Sequence, residues 1–180
     1  MGVAPRIQMN WSGTGFESFL DHWRSLKAGK DVPDWHDWQP ADLVPLLGSV
    51  NAISVVDGGK DFLFRVYGTR HVDSLDIEMT GKSVGDMTDR ARSQRSFALY
   101  RQVFLSRLPH CTFYRIEAMD SLALKYSRDH VYLLRLVVPF TTGSGEVDRL
   151  LGYGEPVTTA MLDSYFGPSR PPDDTVACVR

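Results

Sequence analysis

The chain has 180 residues, 43% of them hydrophobic and 23% charged, with a formal net charge of −2. That size fits one soluble domain with a substantial core, and the small net charge gives no general attraction to nucleic acid or to an anionic membrane. No apolar run approaches the roughly 20 residues of a membrane span; the start, MGVAPRIQMN, lacks the apolar core of a secretory signal, and Arg6 stands where a myristoylation motif has Ser or Thr.

Residues 1–14 are polar with scattered Gly and Pro and are expected to be flexible. In FESFLDHWRSLKAGK the residues Phe16, Phe19, Leu20, Trp23 and Leu26 recur at helical spacing, which predicts an amphipathic helix ending near Gly29. DVPDWHDWQP is a turn-rich connector, so residues 15–39 form a helix-plus-connector unit. ADLVPLLG is a short helix limited by Pro45. SVNAISVVD and DFLFRVYGT then read as a β-hairpin about Asp57-Gly58-Gly59-Lys60. The stretch after Gly68-Thr69 breaks again at Thr80-Gly81 and near Gly85, and Asp89 can cap a longer helix, RARSQRSFALYRQVFLSR, carrying Phe97, Tyr100, Val103 and Phe104 on one side. HCTFYRIEAM, DHVYLLRLVVPF and VDRLLGYGEPV read as strands; the second is apolar almost throughout, as a central strand covered on both faces would be. AMLDSYFG is a short amphipathic segment, and the Pro- and Asp-rich residues 167–180 are expected to be a disordered tail. Two strands, helices and then three strands define an α+β domain with helices gathered on one sheet face, over residues 40–166.

Trp23, Pro33, PADLVPLLG, FLFRVYGTR, MTGKSVGDM, YLLRLVVPF and VDRLLGY occur in an order and spacing that resembles the PAS domains, and in particular short stand-alone bacterial PAS-like proteins. The likeness covers about residues 20–155 and departs at VPDWHDWQP, where the family pattern has a basic residue after the Pro. It implies a five-stranded antiparallel sheet with a helical midsection over one face. It also implies a non-catalytic sensory or regulatory module, often a homodimer, that binds a small ligand or a signalling partner protein. It supplies no catalytic set.

Alternation along the strands places Phe64, Val66, Tyr114 and Tyr132 against the midsection, with Phe62, Ile116, Leu134 and Leu136 beside them. With His71 and Tyr100 these are the candidate ligand-binding residues. The tyrosine hydroxyls each need a polar partner, which a ligand or water would supply. His71 is also a candidate haem ligand, although a lone histidine is more often a surface or capping residue. The same alternation puts Arg65, Arg115 and Arg135 on the opposite face; three guanidiniums there would suit an anionic ligand, but a plain outer face is the preferred interpretation. Phe16, Phe19, Leu20 and Trp23 are expected to cover that face or to form an interface with a second subunit. No catalytic motif is present: G-x-S-x-G, P-loop, H-E-x-x-H and G-x-G-x-x-G spacings are all missing, and no Cys/His spacing suits zinc. Cys111 and Cys178 could pair only if the tail folded back, so both are expected to be free thiols in a reducing cytoplasm. The alternatives to a ligand sensor are an interaction module with a filled interior and, behind it, a small enzyme on a related α+β fold.

Overall fold

A computed structural model describes the fold over residues 4–75, 77–116 and 132–179. Its strands are β1 (Arg6–Ile7), β2 (Val50–Val56), β3 (Asp61–Val66), β4 (His110–Arg115), β5 (Tyr132–Phe140), β6 (Arg149–Val157) and β7 (Ala177–Val179). Its helices are α1 (Gly15–Leu26), α2 (Thr69–Leu75), α3 (Arg90–Ser106) and α4 (Thr159–Phe166), with short 3-10 segments at Pro40–Ser49 and Val84–Asp86. The strands form a sheet in the order β1-β7-β4-β5-β6-β2-β3. Strands β2 to β6 pair antiparallel throughout. The end of the predicted strand HCTFYRIEAM, residues 117–119, and the start of the next, residues 129–131, lie outside the described residues.

Among the described residues the sheet therefore has seven strands, not five. The two additions come from the chain ends that were expected to be flexible and disordered. β7 pairs antiparallel with β4, and β1 pairs parallel with β7. Ala177 and Val179 are buried, as is Trp11 near the N-terminus. The physical reason is the edge of β4, whose exposed row of backbone donors and acceptors is satisfied by the short apolar run ACV. The Pro- and Asp-rich residues before it are fastened as well, with the Asp174 amide donating to the Phe113 carbonyl at 2.9 Å and Arg95 paired with the Asp174 carboxylate at 2.8 Å. Folding back brings Cys178 beside His110 and Ala177 beside Cys111. The two thiols thus occupy adjacent register positions, whose side chains point to opposite faces, and both are buried and form no disulfide.

Each sheet face carries its own core. On the outer face, α1 lays Phe16, Phe19, Leu20 and Trp23 over Leu134, Leu136, Val138, Leu151 and Tyr153, and α4 adds Leu162 and Phe166. Thr14 caps α1 by accepting from the Glu17 amide, and the Trp23 indole N–H donates to the Pro139 carbonyl at 2.8 Å. The connector is fastened to the end of β5, where the Trp35 amide donates to Thr141 at 2.7 Å and the Trp35 ring meets Phe140 edge-on. On the inner face, Leu99, Tyr100 and Val103 of α3 cover Ile53, Phe62, Phe64, Val137 and Leu150.

Two alternation assignments are corrected. Ala52 pairs with Val66 but Ile53 pairs with Phe64, so Arg65 is an extra residue, a β-bulge that reverses the alternation behind it. Val66 consequently turns to the outer side and is 54% exposed. In β5, Leu134 and Leu136 face α1, and it is Arg135 and Val137 that face α3. A strand apolar on both sides carries no pattern to fix its phase, and a slip of one residue exchanges the faces.

Candidate functional site

The inner face changes character along α3. Its buried residues fall on one stripe, Arg92, Ser96, Leu99, Tyr100 and Val103. The C-terminal half of the stripe is apolar and meets Phe62 and Phe64, whereas the N-terminal half is polar. Opposite the polar half, the corrected phase of β5 brings in Arg135, and its register neighbour on β4 is Thr112, next to Tyr114. Tyr67 from the end of β3 and His71 from α2 close the cluster, with their rings 5.5 Å apart.

The Tyr67 and His71 positions follow from the Gly68 break. The Gly68 amide donates to the Asn51 side chain at 2.8 Å, and a Cβ on Gly68 would lie 2.4 Å from the Gly48 carbonyl oxygen. Only a residue without a side chain lets the chain cross the 3-10 segment here and start α2 at once. Beyond α2, the Gly81 amide donates to Phe64 and the Phe64 amide to Lys82, so the second break folds back to cover the β3 edge.

Hydrogen bonds fix the polar groups. His71 Nε2 lies 3.0 Å from the Ser49 carbonyl, which can only accept, so Nε2 carries the proton. Burial, with Arg135 adding to it, holds the imidazole down to about 4 and keeps it neutral. Burial pushes the Tyr100 hydroxyl up to about 12 and raises Tyr67 further, where the neighbouring Tyr100 and Tyr114 reinforce the shift and Arg92 and Arg135 oppose it. Arg135 Nη1 donates to Ser96 Oγ at 2.9 Å, and its guanidinium lies 5.2 Å from the centre of the Tyr114 ring. Arg95 lies over the same ring at 4.8 Å. Gly154, the β6 residue opposite Arg135, makes room for this arrangement, since a Cβ there would stand 3.2 Å from both the Arg135 stem and His71 Cε1. Beside the cluster a pocket of about 90 Å³ is lined by Tyr67, Met79, Met87 and Arg92, with Lys82, Asp86 and Asp89 at its rim. A wider, open groove of about 480 Å³ runs between Lys60, Gly85 and Phe97 on another side of α3.

Of the candidate ligand-binding residues, Phe64, His71, Tyr100 and Tyr114 come together on the inner face. Val66 and Tyr132 do not. Tyr132 faces outward, packed on Phe113 and beneath the Arg170 guanidinium at 5.0 Å. Arg65 and Arg115 are exposed and share no face with Arg135. Phe16, Phe19, Leu20 and Trp23 are each at most 4% exposed within the single chain, which leaves none of them for a second subunit. Tyr67, Arg92, Ser96 and Gly154 escaped the sequence analysis. One signal for them was present: the two glycines of LLGYGE share a strand face, and a bare face is room for large groups opposite.

Among the described residues no cluster of His, Cys, Asp and Glu could hold a metal ion, and no helix is long and apolar enough to cross a membrane. No curated protein and no solved structure matches the chain. The family model for the PAS domain matches residues 13–154, the span that holds α1, strands β2 to β5, the midsection and most of β6, and the chain therefore belongs to the PAS domain family.

Proposed function

We propose that the protein is a sensory or regulatory module that binds a small ligand between the inner sheet face and helices α2 and α3. One observation carries this reading: a set of polar side chains, the buried Tyr67, His71, Arg92, Ser96 and Tyr100 with the half-buried Arg135, occupies half of an otherwise apolar interior and adjoins a pocket. Interior polar groups are costly unless partnered, and a protein selected only for packing would fill the site with aliphatic residues. The module is non-catalytic. Its buried phenols are too basic to ionise at neutral pH and its imidazole too acidic to be charged, so none of them is poised for proton transfer. The signal leaves through a partner protein or through self-association in the cytoplasm.

Native mass spectrometry beside a denatured run tests this. A mass excess that vanishes on denaturation supports a retained ligand, and a dimer peak supports output by self-association. A bare monomer mass, together with no change on soaking in a metabolite mixture, refutes the sensor. The second reading, an interaction module without a ligand, draws on the packing of Phe62, Phe64, Phe97 and Tyr100, whose rings fill the apolar half with centroids 5.5 to 6.1 Å apart.

A further inference from the structure

The geometry points to a small carboxylate as the ligand, anchored by the guanidinium of Arg135. This rests on the ligand-binding reading above and names the chemistry of that site. Arg135 Nη1 is engaged with Ser96, while Nε and Nη2 are buried and have no hydrogen-bond partner. These two N–H groups lie along one edge of the guanidinium plane and point the same way, which is the fork that receives the two oxygens of a carboxylate. Among the described residues no acidic side chain lies within ion-pair distance of Arg135. Its companions are the Tyr114 ring, the Ser96 hydroxyl and the neutral phenols of Tyr67 and Tyr100. A permanently charged group with two sealed donors and no counter-charge is expensive to keep. An anion on that edge would satisfy both donors and neutralise the charge in one step.

The surroundings select among anions. The neighbours are flat rings, and only two donors are free on Arg135, which suits a planar acid with two oxygens better than a tetrahedral phosphate needing three or more. In the pocket Lys82 and Arg92, the latter 3.8 Å from Asp89, offset the carboxylates of Asp86 and Asp89, so the way in does not repel an acid. Arg135 itself does not line the adjoining pocket of about 90 Å³, so the acid reaches it past Tyr67 and Arg92 and must be small.

Thermal unfolding in the presence of acetate, propionate, pyruvate and benzoate is the test. The corresponding amides and inorganic phosphate serve as comparisons, at ionic strength matched with sodium chloride. One or more of the carboxylates raises the Tm of the unaltered protein in a dose-dependent way, while its amide and phosphate do not. Arg135→Met abolishes the shift, and Arg135→Lys, which keeps the charge but loses the fork, raises the half-saturating concentration by about tenfold or more. Arg135→Met without ligand has a Tm equal to or above that of the unaltered protein, an effect opposite to that of removing a structural arginine. If Arg135→Met does not fold, Arg135→Lys decides. No response to any of the four acids, or an equal response in the unaltered protein and the Arg135 variants, overturns the inference. A neutral compound retained in the native mass spectrum and held equally by Arg135→Met also overturns it, yet leaves the ligand-binding reading standing.

Discussion

At His71 a single residue combines burial, a hydrogen bond and a neighbouring charge. Its folded-state pKa of about 4 lies below the ordinary value of 6.5. Between those values the unfolded chain takes up a proton that the folded chain refuses. Stability is therefore complete above pH 6.5 and is lost as the pH falls towards 4, by up to about 3 kcal/mol from this residue. His110, also buried and shifted downwards, adds a slope of the same sign. His71→Gln keeps an N–H for the Ser49 carbonyl and removes the titration. Urea unfolding at pH 7 and pH 4.5 is expected to show a smaller loss in the variant; an equal loss would mean that His71 is not held neutral. The backbone at Gly68 makes the second prediction at this scale. Gly68→Ala drives a methyl group into the carbonyls of Gly48 and Val50, which are backbone atoms and cannot swing aside. It costs about 3 kcal/mol, in the upper range for an overpacked site, whereas Gly13→Ala meets open space and costs only the strain of its positive φ, about 1 kcal/mol. Denaturation midpoints for the two variants compare them directly.

Elements were legible where their pattern had one period, and misassigned where it had none or was interrupted. The α1 stripe Phe16, Phe19, Leu20 and Trp23 is a clean helical repeat, and it docks as that repeat requires. β5 reads YLLRLVVPF, apolar on both faces, so nothing local reveals that Arg135 rather than Leu134 looks inward. β3 alternates correctly up to Phe64 and then loses its phase at a bulge set by pairing with a distant segment. The polar half of the site depends on both phases, which is why Tyr100 and His71 were found while Arg135 was assigned to the wrong side. The C-terminal strand was missed because a three-residue run gains its meaning only from the open edge of β4. The docking of α1 carries the prediction at this scale. Trp23 combines ring burial with a 2.8 Å hydrogen bond to the Pro139 carbonyl. Trp23→Phe keeps most of the packing and leaves that acceptor unsatisfied, at about 1–3 kcal/mol; Trp23→Ala also opens a cavity and costs about 3–5 kcal/mol. Urea unfolding followed by far-ultraviolet circular dichroism should rank them in that order. Equal and small losses would show that α1 is only loosely attached.

On the scale of the whole molecule, two cores share one sheet. β5 supplies Leu134 and Leu136 to the outer core and Arg135 and Val137 to the inner surface, so neither side can lose this strand without the other. A ligand held inside would be felt outside by the same coupling, because alternate residues of one backbone move together. The tryptophans make this measurable. Trp11 and Trp23 lie in the outer core and Trp35 and Trp38 pack against it, so all four of the chain's tryptophans report on the outer side alone. Leu99 lies wholly in the inner core, on α3. Leu99→Ala removes about 2–5 kcal/mol of buried contact there and touches no tryptophan. If the sheet binds the two layers into one cooperative unit, the variant lowers the urea midpoint seen by tryptophan fluorescence as far as that seen by circular dichroism. If the layers melt separately, the fluorescence midpoint stays where it was while the circular dichroism transition broadens. The first outcome would make the outer surface of α1 a place where occupancy of the pocket is legible to a partner; the second would confine any ligand effect to α2 and α3.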